Sequence, residues 1–239
     1  VVLFESARQL GGHARTVIAG KNNDMPVDTG FLVFNDVNYP LLTQFFDELS
    51  VPITDSDMSF GASIDGGWLE YGVLAPSAVF AQKRNMLRPK FLGMIRDILK
   101  FNKRASTEEI DPTITIGALV EKWQLGDWFR DYYIAPFTGA IWSTPIIKIL
   151  DFPAQAMITF MKNHALLGAG GQHQWRTVKG GSREYVNRVE HALVRNGVDL
   201  RVSTAVDSVR RTPVGVEVKS VGGEYEAFDD VIFATHSDV

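Results

Sequence analysis

The first 34 residues of the chain alternate between short apolar runs and turn residues. Residues 1–4 form an apolar run that fits a buried strand, and residues 16–18 and 25–33 alternate around turns at Gly20 and Asn22. From Tyr39 onward the apolar residues adopt helical spacing. They share one face of the predicted helix: Leu41, Leu42, Phe45, Phe46 and Leu49.

The middle of the chain is predicted to be mostly helical after one hairpin. Residues 58–63 and 68–71 have strand-type patterns and flank a turn at Asp65, Gly66 and Gly67. Helical spacing then covers residues 76–104, 115–135 and 153–167, and prolines mark the starts or breaks of these segments.

Beyond Gly180 and Gly181 the pattern changes to one helix followed by strands. Ser182 is placed to cap a helix over residues 183–195, which Asn196 and Gly197 would end. Strand patterns follow at residues 200–202, 205–211, 214–220, 224–228 and 231–234. Because both ends read as α/β, we predict one discontinuous domain, residues 1–37 plus 176–239, interrupted by a mainly helical domain, residues 38–175.

The composition narrows the class of protein. The chain has 239 residues, of which 45% are hydrophobic and 22% charged, as in globular domains. A net charge of -4 argues against a nucleic-acid binder, and the absence of cysteine excludes disulfides, thiolate metal sites and cysteine nucleophiles. No apolar run reaches the roughly 18 residues that span a bilayer, and no signal peptide is evident, so a cytoplasmic location is expected. The chain opens on Val1 inside a strand, which indicates a fragment.

Glu5 stands at the end of the first predicted strand. In dinucleotide-binding folds an acidic residue at the end of the second strand accepts hydrogen bonds from the adenosine ribose, about 20 residues after a G-x-G-x-x-G fingerprint. That fingerprint is absent from the chain, and the only G-x-G, residues 168–170, ends a predicted helix and lacks the third glycine. Taken alone, Glu5 is explained more simply as an exposed acid at a strand end.

Two glycines and two arginines follow Glu5. Adjacent glycines let backbone N–H groups approach an anion, and an arginine beside them can supply charge to a diphosphate. The combined string E-x-x-R-x-x-G-G-x-x-R-T is built from Glu5, Arg8, Gly11, Gly12, Arg15 and Thr16. This string resembles the second strand and following loop of the flavin-containing amine oxidase and phytoene desaturase superfamily.

Further motifs resemble the same superfamily along the whole chain. They are V-D-T-G-F at residues 27–31, W-x-T-V-x-G-G-S at 175–182 and V-I-F-A-T-H at 231–236. N-Y-P at 38–40, M-S-F at 58–60, R-N-x-L-R-P at 84–89 and I-W-S-T-P at 141–145 are similar to a bacterial subgroup of NAD/FAD-binding amine-oxidase-like proteins. The resemblance implies a Rossmann-like FAD/NAD(P)-binding domain with antiparallel strands, interrupted by a helical substrate domain.

The resemblance also implies FAD as the cofactor and assigns residues to it by position. Glu5 would bind the adenosine ribose, and the rest of the string would line the diphosphate and the approach to the flavin. Thr29 and Gly30 would bring backbone close to the isoalloxazine. The remaining cofactor-binding residues are Arg8, Gly11, Gly12, Arg15, Val206 at the adenine, and Ala234 and Thr235 near the diphosphate. The family's N-terminal glycine loop and C-terminal G-D segment are missing, so weak FAD binding by this chain alone is expected.

Other candidate residues carry weaker signals. His173 and Trp175 lie just before the second glycine pair, at the predicted domain junction, and are candidates for a substrate pocket, although core packing explains Trp175 equally well. The histidines show no metal-ligand spacing, so no metal site is predicted. No residue is identified as the catalytic acid or base.

Residues 83–104 form a basic amphipathic segment. They carry eight basic residues against the single acid Asp97, with apolar residues interleaved. Such a helix can contact an anionic membrane peripherally, and the alternative is a solvated face over a core-facing stripe. The basic residues are Lys83, Arg84, Arg88, Lys90, Arg96, Lys100, Lys103 and Arg104.

The sequence thus predicts an FAD-dependent oxidoreductase that oxidises a C–N or C–C bond of a small-molecule or lipid-like substrate. A nucleotide-binding module without turnover and an NAD-dependent dehydrogenase are the alternatives. The antiparallel strands after the last predicted helix favour the FAD-type fold over the dehydrogenase. The substrate itself is not encoded in any motif found.

Overall fold

The structure is a computed structural model that describes residues 1–73, 75–168 and 171–236. Helices and strands are mixed, and the chain divides into two compact units. The first unit comprises Val1–Val33, Pro40–Thr54 and Thr177–Val239, and the second comprises Phe34–Tyr39 and Asp55–Arg176. Ala169 and Gly170, in the G-x-G segment, lie outside the described residues.

The elements are numbered in chain order. The strands are β1 (Val2–Phe4), β2 (Thr16–Ala19), β3 (Met25–Asp28), β4 (Ile53–Ser56), β5 (Gly61–Ile64), β6 (Leu69–Gly72), β7 (Trp175–Val178), β8 (Asp199–Arg201), β9 (Val206–Thr212), β10 (Gly215–Ser220) and β11 (Tyr225–Phe228). The helices are α1 (Pro40–Glu48), α2 (Pro76–Val79), α3 (Pro89–Thr107), α4 (Ile116–Lys122), α5 (Asp127–Phe129), α6 (Ala135–Trp142), α7 (Ile146–Ile149), α8 (Ala154–Asn163) and α9 (Arg183–Arg195).

The first unit combines a parallel pair of strands with antiparallel ones. β1 pairs in parallel with β8, so that Leu3 lies opposite Leu200. β2 and β3 form an antiparallel hairpin, and β9, β10 and β11 form an antiparallel three-stranded sheet with β10 in the centre. Helix α9 precedes β8 directly, and Phe46 of α1 packs on Tyr185 of α9 with ring centroids 5.0 Å apart.

The second unit is built around one aromatic and aliphatic core. Large side chains of this core that are no more than 1% exposed come from α3, the 127–142 helical segment and α8: Phe91, Phe101, Phe129, Ile134 and Met157. Burying each such side chain stabilises the fold by about 1.5–3 kcal/mol. The β5 and β6 hairpin adds Leu69 and Tyr71 to the same core.

A π-helical turn joins α5 to α6. Residues Arg130–Ile134 form this turn, and Pro136 follows it at the start of α6. Proline has no backbone N–H, so it cannot donate the α-helical hydrogen bond to the carbonyl of Tyr132, four residues earlier. That carbonyl accepts the hydroxyl of Tyr71 instead, which ties the β5 and β6 hairpin to the helix.

Most of the predicted elements are confirmed, with their lengths changed by proline and glycine. The predicted helix over 76–104 is divided into α2, a 3₁₀ turn at Lys83–Leu87, and α3, which begins at Pro89. The hairpin at residues 58–71 and the helix over 183–195 are confirmed. Residues 40–54, including α1, cluster with the first unit, outside the boundary that the sequence suggested.

Two predictions about the last part of the chain are wrong. Residues 231–234 form no strand, and Ile232 and Phe233 are 90% and 68% exposed. A β-rich run becomes a strand only where a neighbouring strand accepts its backbone hydrogen bonds, and within the described ranges none does so. The side chain of Ser182 does not cap α9, because its hydroxyl donates to the carbonyl of Phe31 at 3.1 Å.

Within the described parts of the chain, no helix is both long and apolar enough to cross a bilayer.

Candidate functional site

Glu5 lies at the carboxyl end of the parallel pair formed by β1 and β8. Its backbone N–H donates to the carbonyl of Arg201 at 3.0 Å, which continues the strand pairing by one residue. Its Oε1 accepts the N–H of Ala7 at 2.7 Å, so the loop after the strand holds the carboxylate in place. Open α/β sheets bind ligands beyond the carboxyl ends of their parallel strands, and Glu5 stands at that edge.

The start of β9 lies beside the loop that follows Glu5. The N–H of Thr204 donates to the carbonyl of Glu5 at 2.8 Å, and the N–H of Ser203 donates to that of Ala7 at 2.8 Å. Val206, the first residue of β9, follows two residues later and is 42% exposed. The structure therefore brings Glu5 and Val206 to one region of the first unit.

The two members of the glycine pair serve different purposes. Gly11 has a φ of +119°, and an added Cβ would meet the carbonyl oxygen of Ala14 at 2.9 Å and a methyl group of Val186 in α9 at 3.1 Å. Packing against the loop and α9 therefore requires glycine at position 11. Gly12 has a φ of +54° with nothing within 4 Å of an added Cβ, so its backbone is open to a ligand.

The end of the glycine loop contacts the segment after β3. The carbonyl of Arg15 accepts the N–H of Thr29 at 2.9 Å and its hydroxyl at 3.2 Å. A Cβ on Gly30 would lie 1.8 Å from the carbonyl oxygen of His13. This distance is far too short for any side chain, so only glycine fits at position 30. Gly12, Arg15, Thr29 and Gly30 are thus brought together, and all four are exposed.

The segment containing Ala234 and Thr235 reaches the same loop. The ring of His236 lies 4.4 Å from the ring of His13, centroid to centroid, which places the end of this segment beside the glycine pair. Ala234 and Thr235 are both exposed. The cofactor-binding residues that the sequence predicted therefore lie in the first unit, on the two loops that follow β1 and β3, at the start of β9 and in the 234–236 segment.

Asp28 accepts several hydrogen bonds in this region, a role that the sequence did not reveal. Its carboxylate accepts the N–H of Ser182 at 2.9 Å and the hydroxyl of Thr16 at 2.5 Å. The hydroxyl of Thr16 in turn accepts the N–H of Arg183 at 2.9 Å, so the first turn of α9 is capped by residues of β2 and β3. Burial raises the pKa of Tyr185 in the same turn, and the charge of Asp28 adds to that effect.

The capping arrangement requires glycine at position 181. The φ of Gly181 is +90°, and an added Cβ would lie 2.7 Å from the Cγ2 of Thr16. Three motifs therefore meet at one helix terminus: the end of the string that begins at Glu5, V-D-T-G-F, and W-x-T-V-x-G-G-S. The three motifs are visible in the sequence, but their meeting depends on a contact across 154 positions.

The predicted pocket residues His173 and Trp175 lie in the second unit. Trp175 is 4% exposed; its ring stacks on that of His164, and its indole N–H donates to Gln172 at 3.0 Å. His173 is half-buried, and its Nε2 lies 3.2 Å from the carbonyl of Asn163. Their assignment to a substrate pocket stays a prediction.

His164 occupies the centre of that aromatic group. Its ring stacks on Phe160 at 4.0 Å, its Nδ1 lies 2.9 Å from the carbonyl of Phe160, and its Nε2 lies 3.3 Å from the hydroxyl of Tyr39. The carbonyl can only accept, so Nδ1 carries the proton and Nε2 accepts from the tyrosine. Burial raises the pKa of Tyr39, which keeps the hydroxyl available as that donor.

The sequence family follows from the comparison with family models. The model for flavin-containing amine oxidoreductases matches residues 1–239. The chain belongs to this family. The family's name assigns a flavin and oxidoreductase chemistry to its members. The residues of the first unit fit a flavin cofactor. The loop after β1 carries a strand-end carboxylate, the open backbone of Gly12, and the exposed side chains of Arg8 and Arg15. Among curated proteins, none matches the chain.

Several solved structures share the fold. Putrescine oxidase bound to putrescine has 15% identity and a TM-score of 0.64, over 95% of this chain and 51% of its own. Cyclohexylamine oxidase from Brevibacterium oxydans IH-35A has 15% identity and a TM-score of 0.59, over 92% and 49%. An oxidoreductase from Methanosarcina mazei has 14% identity and a TM-score of 0.57, over 95% and 51%. The chain spans about half the length of these proteins.

Proposed function

We propose that the protein is an FAD-dependent oxidoreductase that oxidises a C–N or C–C bond of a small or lipid-like molecule, and that the first unit is its Rossmann-like FAD-binding domain. The observation that carries this proposal is the grouping of the predicted cofactor residues in the first unit of a chain that belongs to the flavin-containing family. The parallel pairing of β1 with β8, reached directly from α9, supports the Rossmann-like interpretation.

Each residue of the loop after β1 has a role that its chemistry suits. The carboxylate of Glu5 would accept the ribose hydroxyls of the adenosine, since an ionised carboxylate can accept several hydrogen bonds. The open N–H of Gly12 would donate to the diphosphate, and the guanidinium groups of Arg8 and Arg15 would supply positive charge to it. Val206 would present its main chain to the adenine.

The segment after β3 would support the reactive end of the cofactor. Gly30 allows its backbone to lie against the carbonyl of His13, and Thr29 is held by two hydrogen bonds to Arg15. This fixed backbone would exclude water from one side of the ring system and orient it. When bound, FAD would supply the redox chemistry, and these residues would supply its position and electrostatic environment.

Amines, which contain an oxidisable C–N bond, are the first substrate class to test. Two of the solved structures that share the fold are named as amine oxidases, of putrescine and of cyclohexylamine. At 15% identity this likeness concerns the fold, and one fold hosts many reactions, so amines are a starting point for a screen that also includes lipid-like substrates.

The proposal is tested by FAD binding and reduction in the full-length protein. We expect a flavin absorbance spectrum on purification. Glu5→Ala should weaken FAD binding by roughly 5- to 150-fold, since losing the paired acceptor of a buried hydroxyl costs about 1–3 kcal/mol. Glu224→Ala, which removes an exposed acid from the turn between β10 and β11, serves as the matched control and should bind FAD as the wild type does.

The outcomes separate the three classes of function. Anaerobic bleaching of the flavin by an amine or a lipid-like substrate supports the oxidoreductase. A bound flavin that no substrate in the screen reduces favours the module without turnover. Binding of NAD with no flavin would overturn the proposal, and equal FAD affinity in the wild type and Glu5→Ala would remove Glu5 from the site.

A further inference from the structure

Helix α3 carries exposed apolar residues on the side away from the core. Its core face is formed by Phe91, Met94, Phe101 and Ala105, each no more than 1% exposed. At about 100° per residue, the positions i, i+4, i+7 and i+11 that start at residue 92 fall within one narrow arc on the opposite side. They hold Leu92, Arg96, Leu99 and Lys103, all of them exposed.

The 3₁₀ turn before α3 continues this exposed pattern. Leu87 is 87% exposed and Met86 is 52% exposed, although both lie in an ordered turn. Arg84 anchors the turn by donating to the carbonyl of Trp68 at 2.8 Å, and Arg88 donates to the same carbonyl at 3.1 Å. Leu87 is therefore exposed to solvent in a turn that the hydrogen bonds of Arg84 and Arg88 hold in place.

The basic residues of segment 83–104 divide into two groups. Five of them have partners within the fold: Arg84 and Arg88 as above, Lys100 to the carbonyl of Trp123 at 2.6 Å, Arg104 to Glu108 at 2.9 Å, and Arg96 to Asp97 at 3.1 Å. The side chain of Arg96 is nevertheless 78% exposed. Lys83, Lys90 and Lys103 are exposed as well.

All the exposed charged side chains of this segment are basic. Asp97, its single acid, is 4% exposed and accepts the N–H of Gly126 at 2.9 Å, so it is directed into the fold. The exposed side chains of the turn and of the arc on α3 form what we term the basic–apolar surface: Lys83, Met86, Leu87, Leu92, Arg96, Leu99 and Lys103. Lys90 lies about 160° around the helix from Leu92 and is outside the arc. The surface carries three basic side chains in a chain whose net charge is -4.

We propose that the basic–apolar surface binds the headgroup region of an anionic bilayer. Lysine and arginine interleaved with exposed leucine is the composition that lies at a lipid interface, where the charges meet anionic headgroups and the apolar side chains enter the acyl boundary. A nucleic acid would use the three charges but would leave the four apolar side chains in water, so lipid fits the surface better. This proposal does not depend on the flavin chemistry.

The test is co-sedimentation of the full-length protein with vesicles of phosphatidylcholine alone and of phosphatidylcholine mixed with phosphatidylglycerol. We expect binding to the mixed vesicles that weakens with added salt. Each basic residue near an anionic surface strengthens partitioning about fivefold, so the triple variant Lys83→Gln, Arg96→Gln and Lys103→Gln should bind on the order of 100-fold more weakly. Lys100 is left unchanged because it binds the end of α4.

A matched triple variant distinguishes a defined surface from general charge. Lys21→Gln, Lys148→Gln and Lys179→Gln removes three exposed lysines elsewhere and should keep the wild-type binding. A double variant, Leu87→Ser with Leu99→Ser, should bind at least about tenfold more weakly at unchanged net charge, because both leucines would enter the acyl boundary. Circular dichroism checks that each variant is folded.

Two results would overturn the proposal. One is negligible binding of the folded wild-type protein to both kinds of vesicle at low salt. The other is an equal loss of binding in the two triple variants together with full binding by the leucine variant, since binding would then follow net charge and not this surface.

Discussion

The carboxylate of Asp28 accepts the backbone N–H of Ser182 through both of its oxygens, at 2.9 and 3.0 Å. This contact joins the end of β3 to the start of α9. The first N–H groups of a helix have no partner inside the helix, and an acidic side chain there also interacts favourably with the helix dipole. The Asp28 cap therefore fixes α9 against the hairpin whose following segment carries Thr29 and Gly30.

Removing this cap should destabilise the first unit. We expect Asp28→Ala to lower the free energy of unfolding by about 1–2 kcal/mol, the usual range for loss of a helix N-cap acceptor. Asp28→Asn keeps an acceptor oxygen and should lose less. Hydrogen exchange of the α9 amides, read by mass spectrometry, reports the change locally.

The control for the cap is Asp229→Ala, which removes an exposed acid just after β11. It should leave the exchange of α9 unchanged. If Asp28→Ala exchanges as slowly as the wild type, the cap contributes nothing to the stability of α9, and the motif at residues 27–31 needs another explanation.

Local structure was predictable from the sequence where neighbouring residues decide it. Apolar spacing predicted α1, the Asn-Gly stop predicted the end of α9, and the Asp-Gly-Gly turn predicted the β5 and β6 hairpin, because these features depend on contacts within a few positions. The loop after Glu5 was recognised for the same reason, since its residues are contiguous.

Long-range partners could not be predicted from the sequence. Ser182 has the residue type of a helix cap, but the structure gives that role to Asp28 and Thr16, which are distant in the chain. The basic segment similarly reads as one charged face. Only the fold shows that Lys100 and Arg104 are bound to partners while Lys103 is exposed.

The open backbone of Gly12 leads to a prediction about cofactor binding. Gly12→Ala should remain folded, since nothing lies within 4 Å of the added Cβ and a left-handed φ costs an alanine roughly 1–2 kcal/mol. FAD affinity should fall by at least about tenfold, because the methyl group would stand where the diphosphate is proposed to approach the N–H. Equilibrium titration with FAD in the full-length protein measures the difference.

Gly222→Ala is the matched control for that substitution. Gly222 has a φ of +75° and also has nothing within 4 Å of an added Cβ, so the backbone cost is similar, but it lies in the turn between β10 and β11. We expect wild-type FAD affinity. An equal loss of affinity in both variants would attribute the effect to backbone strain and would remove Gly12 from the diphosphate site.

Tyr133 gives the second unit a pH-dependent stability. It is 4% exposed, and burial raises its pKa above the usual value of 10.0; burial, with a smaller effect from Tyr133, also raises the pKa of Tyr71. A folded-state pKa above the unfolded one means that the unfolded chain releases the proton first. The stabilisation is therefore complete below pH 10.0 and is lost as the pH rises beyond it, by up to about 1.4 kcal/mol per pH unit for each such tyrosine.

Tyr133→Phe keeps a ring that can stack on Phe137, and its unfolding free energy should fall less steeply between about pH 10 and 12 than that of the wild type. Parallel curves for the wild type and Tyr133→Phe would show that the Tyr133 hydroxyl is not the titrating group.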